Sequence, residues 1–236
     1  MTSQAFNPIE IAREIQEFFD SLVIPYGINY LDEALQGIIP GEVTLIGARS
    51  GSGKTELATH ILQTQTEEMR SVCYFATDHE NGEIQKRQNF KFIAERVKAD
   101  PELKNLNLRY SDWRLGKVPE AVKKIQTDFK ALFKHIPNNE VTSTFYERNM
   151  PASKILNTMQ NPQREYCLYI LDHFHAVQLE GDVFKAQREF MRALCSIAKS
   201  QRVPLIIMGQ FRKSGAKGRA PIPEMEEFSG PGDLIS

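Results

Sequence analysis

Apolar residues along this chain follow two rhythms. Short apolar or alternating runs occupy 42–48, 71–77, 106–110, 141–146, 166–172 and 204–209 and predict strands. Between them lie stretches at 54–68, 82–98, 118–135, 151–160 and 183–201 whose apolar residues recur at helical spacing. The runs at 42–48, 166–172 and 204–209 are close to continuously apolar, the pattern of strands covered on both faces. Strand and helix alternate, so the expected fold is α/β: a mostly parallel sheet flanked by helices on both faces.

Ahead of this alternation, Asn7-Pro8-Ile9-Glu10 carries a cap, a proline at the first helical position and a following glutamate. Ile9, Ala12, Ile15, Phe19 and Leu22 then predict an amphipathic helix over 8–22. A shorter helix around Leu31–Leu35 is expected to stop at Gly37, and Pro40-Gly41 turns the chain into the first strand. The predicted organisation is a helical extension over 1–24, suited to strapping onto a neighbouring subunit, and one α/β core over 25–236. From Arg212 to Ser236 the chain is rich in glycine, proline and charge and reads as a long loop.

A chain of 236 residues with 41% hydrophobic and 25% charged residues can bury one sizeable core. Its formal net charge of −1 excludes a global electrostatic footprint for nucleic acid, so any such contact must come from a local basic segment. Cys73, Cys167 and Cys195 show no metal-ligand spacing and read as free thiols in a reducing compartment. With no apolar run of membrane-spanning length and no secretory leader pattern, a cytoplasmic location and no membrane partner are expected.

The first strand runs straight into a glycine-rich loop, EVTLIGARSGSGKT over 42–55. Gly47, Ala48, Arg49, Ser50, Gly51, Ser52, Gly53, Lys54 and Thr55 make a P-loop, with Ala48 at the position where the pattern has its first glycine. Gly51 and Gly53 allow backbone N–H groups to curl around phosphate oxygens. Lys54 supplies a point charge for the β/γ oxygens, and the Thr55 hydroxyl is placed to ligate Mg²⁺. A helix opening at Lys54 would aim the positive end of its dipole at the same anion. ATP and Mg²⁺ are therefore the expected ligands.

Ligands of open α/β sheets sit at the carboxyl ends of the strands, so the residues at the end of each apolar run matter most. The run 166–172 ends in Asp172, where a carboxylate would hold Mg²⁺ through water. The run 71–77 leads into Asp78-His79-Glu80, and either Asp78 or Glu80 could orient the attacking water or cap the next helix. The last run ends in Gly209-Gln210, whose amide could donate to the γ-phosphate. His173 and His175 come just after Asp172 with nothing at ligand spacing to complete a metal set, and read as edging the site.

These residues together resemble the RecA-like ATPases, and within them the DnaB-type hexameric replicative helicases. The lead-in GINYLDEALQGIIPGEVTLIGARSGSGKT is similar to a segment shared with KaiC- and RadA-like proteins, while the GAR ahead of the loop is most like the DnaB type. ILDHFHAVQ, VPLIIMGQ and EEFSGPGDLIS come in the family's order, so the resemblance covers about residues 25–236. It implies that the Gln210 strand lies between those carrying the P-loop and Asp172, bringing Gln210 to the γ-phosphate. It also assigns the catalytic carboxylate by position to Asp78, with Glu80 as alternative because the family carries Glu where this chain has Asp. Lys54 completes the implied catalytic set.

The same resemblance gives meaning to FRKSGAKGRAPIP after Gln210. In RecA-like proteins this loop faces the ring channel, which makes Arg212, Lys213, Lys217 and Arg219 candidates for contacting single-stranded DNA. A homo-oligomeric ring, a hexamer by analogy, and a replication or loader protein are the implied partners. Two departures from the family pattern enter the expectation: the residues ahead of the core are not recognisable as a primase-binding domain, and the given sequence ends where relatives carry strands whose basic residues reach a neighbour's ATP. The core is thus expected to be incomplete at its C-terminus, or Arg212 supplies that charge. An ATP-driven DNA motor is the reading these features favour; a KaiC- or RadA-like ATPase acting on a protein partner is the alternative.

Overall fold

Alternate residues of the central strands belong to two different cores. The computed structural model describes residues 23–79, 82–133 and 142–210. Its strands are β1 (Val43–Ala48), β2 (Val72–Ala76), β3 (Thr142–Tyr146), β4 (Leu168–Asp172) and β5 (Leu205–Gln210). Its helices are α1 (Asn29–Leu35), α2 (Lys54–Glu67), α3 (Glu83–Ala99), α4 (Tyr110–Arg114), α5 (Glu120–Phe133), α6 (Ala152–Gln160) and α7 (Val183–Gln201). Val72, Tyr74, Ala76, Leu168, Ile170, Ile206 and Met208 pack with Ala58, Ile61 and Leu62 of α2. Their odd-numbered neighbours, among them Phe75, Tyr169, Leu171 and Ile207, pack instead with Ile155 and Met159 of α6 and Phe190, Met191 and Leu194 of α7. Period-two side-chain alternation thus sorts the residues to the two faces, and helices cover both.

The sheet order is β1-β5-β4-β2-β3, and every described strand pairing is parallel. β2, β4 and nearly all of β5 are fully buried, in keeping with their continuous apolar sequence. Phe75 stacks between Phe145 and Tyr169, with ring centroids 5.6 and 6.5 Å away. β1 departs from expectation: it is the edge strand among the described residues, and all its positions are only half-buried.

A strand over 106–110 is not formed. Residues 106–109 are irregular and Tyr110 opens the short helix α4. Leu106 and Leu108 do point one way, which is the alternation the sequence shows. They pack, however, on a satellite core around Ile93, Val97 and Val122, with no partner strand to supply a ladder.

Local signals set the helix ends. The Asp182 carboxylate accepts the Lys185 N–H at 2.8 Å and caps α7, which ends where Arg202 turns left-handed. The lead-in to β1 is held by an antiparallel bridge between Ile24 and Ile38, and by Asp32, whose carboxylate accepts the backbone N–H groups of Tyr26, Gly27 and Ile28. The predicted helix over 8–22, Glu80, the basic segment bearing Arg212, Lys213, Lys217 and Arg219, and the EEFSGPGDLIS stretch lie outside the described residues.

Candidate functional site

β1 delivers the chain to the P-loop at the carboxyl edge of the sheet. Gly51 and Gly53 adopt φ of 75° and 93°, a left-handed backbone that a side chain would strain. A Cβ at either position would meet no protein atom, so the demand for glycine is conformational rather than steric. The loop closes on itself through Ser52, whose N–H and hydroxyl both donate to the Arg49 carbonyl, at 3.2 and 2.7 Å. α2 begins at Lys54 with Gly53 as its cap and no side chain bonded to its first amides. Those amides therefore remain oriented toward an anion.

The Lys54 ammonium folds back over the loop and donates to the carbonyls of Ala48 and Arg49, at 3.1 and 3.0 Å. Partial burial lowers its pKa, and the Asp172 charge works in the opposite direction. The Thr55 side chain faces the end of β2, its hydroxyl 3.4 Å from His79 Nε2.

Asp172 closes β4 on the α2 face of the sheet, the parity of Leu168 and Ile170. It is fully buried; Tyr74 donates its hydroxyl to Oδ2 at 2.8 Å, while Oδ1 has no hydrogen-bond partner. A buried carboxyl group with one orphaned oxygen is costly in an apolar setting. A carboxylate oxygen and a threonine hydroxyl are hard donors of the kind Mg²⁺ prefers, so Asp172 and Thr55 fit that ion chemically.

The end of β2 is tied to the end of β4. The Thr77 N–H donates to the Asp172 carbonyl at 2.8 Å, and the Thr77 hydroxyl to the His173 carbonyl at 2.8 Å. These bonds place Asp78 beside His173, with Oδ2 and Nε2 3.6 Å apart, an ion-pair rather than a hydrogen-bond distance. Asp78 is half exposed at the sheet edge. Farther out, Arg87 links the first turns of α2 and α3 through Glu56 at 3.7 Å and Glu83 at 3.3 Å.

β5 runs between β1 and β4, and Gln210 is the register partner of Ala48. Its backbone N–H donates to His175 Nδ1 at 3.2 Å, so the turn after Asp172 grips the end of β5. Lys54, Thr55, Asp78, Asp172 and Gln210 thus come to one edge of the sheet. Sequence reading overlooked Tyr74. The available signal was a tyrosine, with its polar hydroxyl, inside an otherwise apolar strand.

A family model described as DnaB-like helicase C terminal domain matches residues 23–234. The DNA repair protein RadA of Mycobacterium tuberculosis is 25% identical over 193 residues, which is 81% of this chain and 32% of RadA. Solved structures that share the fold include the following two. A DnaB-like replicative helicase, described with its interactions with primase, superposes with a TM-score of 0.64 at 15% identity, covering 95% of this chain and 53% of that one. The ATPase domain of G40P gives 0.65 at 15% identity, covering 96% and 78%. The chain therefore spans about a third of RadA and about half of the helicase chain.

Proposed function

The chain belongs to the DnaB-like helicase C-terminal domain family, a RecA-like ATPase domain, and from that premise we propose that it is the motor part of a single-strand-DNA-dependent ATPase acting in replication. The observation that carries the reading is the buried Asp172, with its orphaned Oδ1, on the α2 face of the sheet that also carries Lys54 and Thr55. ATP is the substrate; its phosphates would lie against the amides of the P-loop and the first turn of α2. Lys54 would exchange the Ala48 and Arg49 carbonyls for β/γ oxygens, which cost it less desolvation because they carry charge. Thr55, and Asp172 through water, would hold Mg²⁺. When bound, that ion supplies charge neutralisation on the β- and γ-phosphates.

Hydrolysis is a water attack on the γ-phosphorus. The bond from water oxygen to phosphorus forms, the bond to the ADP oxygen breaks, and the water's proton passes to a carboxylate. Asp78 would take that role, and the Thr77 bonds that tie the end of β2 to the end of β4 support the reading. Glu80 is the alternative that the experiment must separate. Gln210, flanked by the P-loop strand and the Asp172 strand, would donate to the γ-phosphate and register its loss.

The DNA side rests on the basic segment after Gln210. Arg212, Lys213, Lys217 and Arg219 would track a single-strand backbone in the channel of a homo-oligomeric ring, a hexamer by family analogy. Arg212 is also the candidate for reaching a neighbour's ATP. A replication or loader protein completes the proposed partners. ATP hydrolysis measured with and without single-stranded DNA tests the reading: stimulation by DNA is expected, and a DNA-indifferent ATPase stimulated by a protein partner would favour the alternative. That alternative, a RadA- or KaiC-like ATPase in recombination or regulation, draws on the 25% identity to RadA.

A further inference from the structure

We infer that Tyr74 is a positioning residue for the metal-facing carboxylate: its hydroxyl holds Asp172 by Oδ2 so that Oδ1 is the oxygen presented to the Mg²⁺-bound water. This rests on the nucleotide reading above and deepens it.

Strand register makes the contact possible. Ala76 is the partner of Asp172 and Tyr74 that of Ile170, so Tyr74 lies on the diagonal from Asp172 on the same face of the sheet. Both side chains are fully buried, and the 2.8 Å distance is that of a well-formed hydroxyl-to-carboxylate hydrogen bond. Among the described residues Tyr74 is the one hydrogen-bond donor to this carboxylate, since Oδ1 has no partner and Lys54 acts on it through space. The terminal torsion of an aspartate is soft and two-fold, so without an anchor the two oxygens interchange. With Tyr74 in place one oxygen is occupied by a donor that no water can displace.

A tyrosine filling the core for its ring alone would pack equally well as phenylalanine and would leave Asp172 without any donor. Partners of this kind, one step behind a ligand, typically change metal affinity by about 10–100-fold when removed.

The test uses the full chain and Mn²⁺ as a spectroscopic stand-in, counted by electron paramagnetic resonance in the presence of ADP. Tyr74→Phe should weaken ADP-dependent Mn²⁺ binding by about tenfold while metal-free ADP affinity, set by the P-loop, stays at the wild-type value. In an Asp172→Asn background the same change should shift nothing further, because Tyr74 acts through that carboxylate. Unaltered Mn²⁺ binding by Tyr74→Phe, or full additivity with Asp172→Asn, overturns the assignment. Should the phenylalanine variant be insoluble, Tyr74→Met removes the hydroxyl with a more adaptable filler and is read in the same way. A wild-type protein without ADP-dependent Mn²⁺ binding would sink the nucleotide reading itself, a result distinct from a silent Tyr74.

Discussion

Ala48 and Gln210 are register partners across the β1–β5 ladder, which brings the last residue of one strand against the first turn of the P-loop. Gln210 is also gripped from the other side by His175. On the proposed reading it is poised to report on the γ-phosphate, so Gln210→Ala should uncouple hydrolysis from DNA while leaving nucleotide affinity within about twofold. Nucleotide titration alongside DNA-stimulated turnover checks this; a parallel loss of both would point to a packing role.

Lys54→Ala removes the cation from the loop but leaves the left-handed glycines and the Ser52–Arg49 closure in place. Turnover is expected to fall by roughly 10²–10³-fold, with the far-ultraviolet dichroism of the folded protein unchanged. A soluble variant turning over ATP at the wild-type rate would contradict the P-loop assignment.

Asp78 and Glu80 can be separated by paired variants. Asp78→Asn should lower kcat by about 10²–10⁴-fold with little change in ATP binding, whereas Glu80→Gln should leave kcat within a few fold. The reverse pattern would transfer the water-activating role to Glu80.

Neutralising Arg212, Lys213, Lys217 and Arg219 together should weaken single-strand binding and reduce the salt slope by up to about 3 log units per log unit of salt, at ~0.7 per phosphate contact. ATP affinity should persist, since the P-loop and Asp172 lie on other strand ends. Arg212→Ala alone is informative: loss of DNA-stimulated hydrolysis with intact DNA binding would make it a finger toward a neighbour's ATP.

The thiols give a check on the fold that is independent of activity. Cys195 is exposed on α7, Cys73 is fully buried in β2, and Cys167 sits half-buried before β4 with its thiol donating to the Ser71 carbonyl. Burial pushes Cys167 up to about 11, so at pH 8 only about one molecule in a thousand carries its thiolate. Alkylation at pH 8 and subsequent mass spectrometry should therefore mark Cys195 first, and Cys167 should gain label as pH rises toward 11. Cys73 should label only on unfolding.

Much of the sheet was legible because β4 and β5 are buried on both faces, and burial demands the unbroken apolar runs that the sequence displays. Helices α6 and α7 were legible from their one-sided apolar stripes. The segment 106–110 misled for a physical reason: a loop laid over a small core shows the same alternation as a strand, and only the missing partner distinguishes them. β1 misled in degree, since apolar content does not reveal whether a strand ends up central or at an edge. At the site, the P-loop announces itself locally, because its glycines and lysine are contiguous. The Tyr74–Asp172 and His173–Asp78 contacts depend on which strands become neighbours, a property of the assembled sheet that neither local segment contains.

The moorings of the lead-in segment have a mechanical consequence. His60 Nε2 bonds the Gly27 carbonyl at 2.8 Å and Gln65 Nε2 bonds the Pro25 carbonyl at 2.6 Å, both from α2, the helix whose first residues are Lys54 and Thr55. The chain entering at Val23 is therefore coupled to the same rigid rod that would meet the nucleotide's phosphates. Any tilt of that rod as the terminal phosphate departs would be passed on at its far end as a displacement of the incoming chain. On the nucleotide reading α2 would act as a lever, with phosphate at one end and the segment leading in from Val23 at the other.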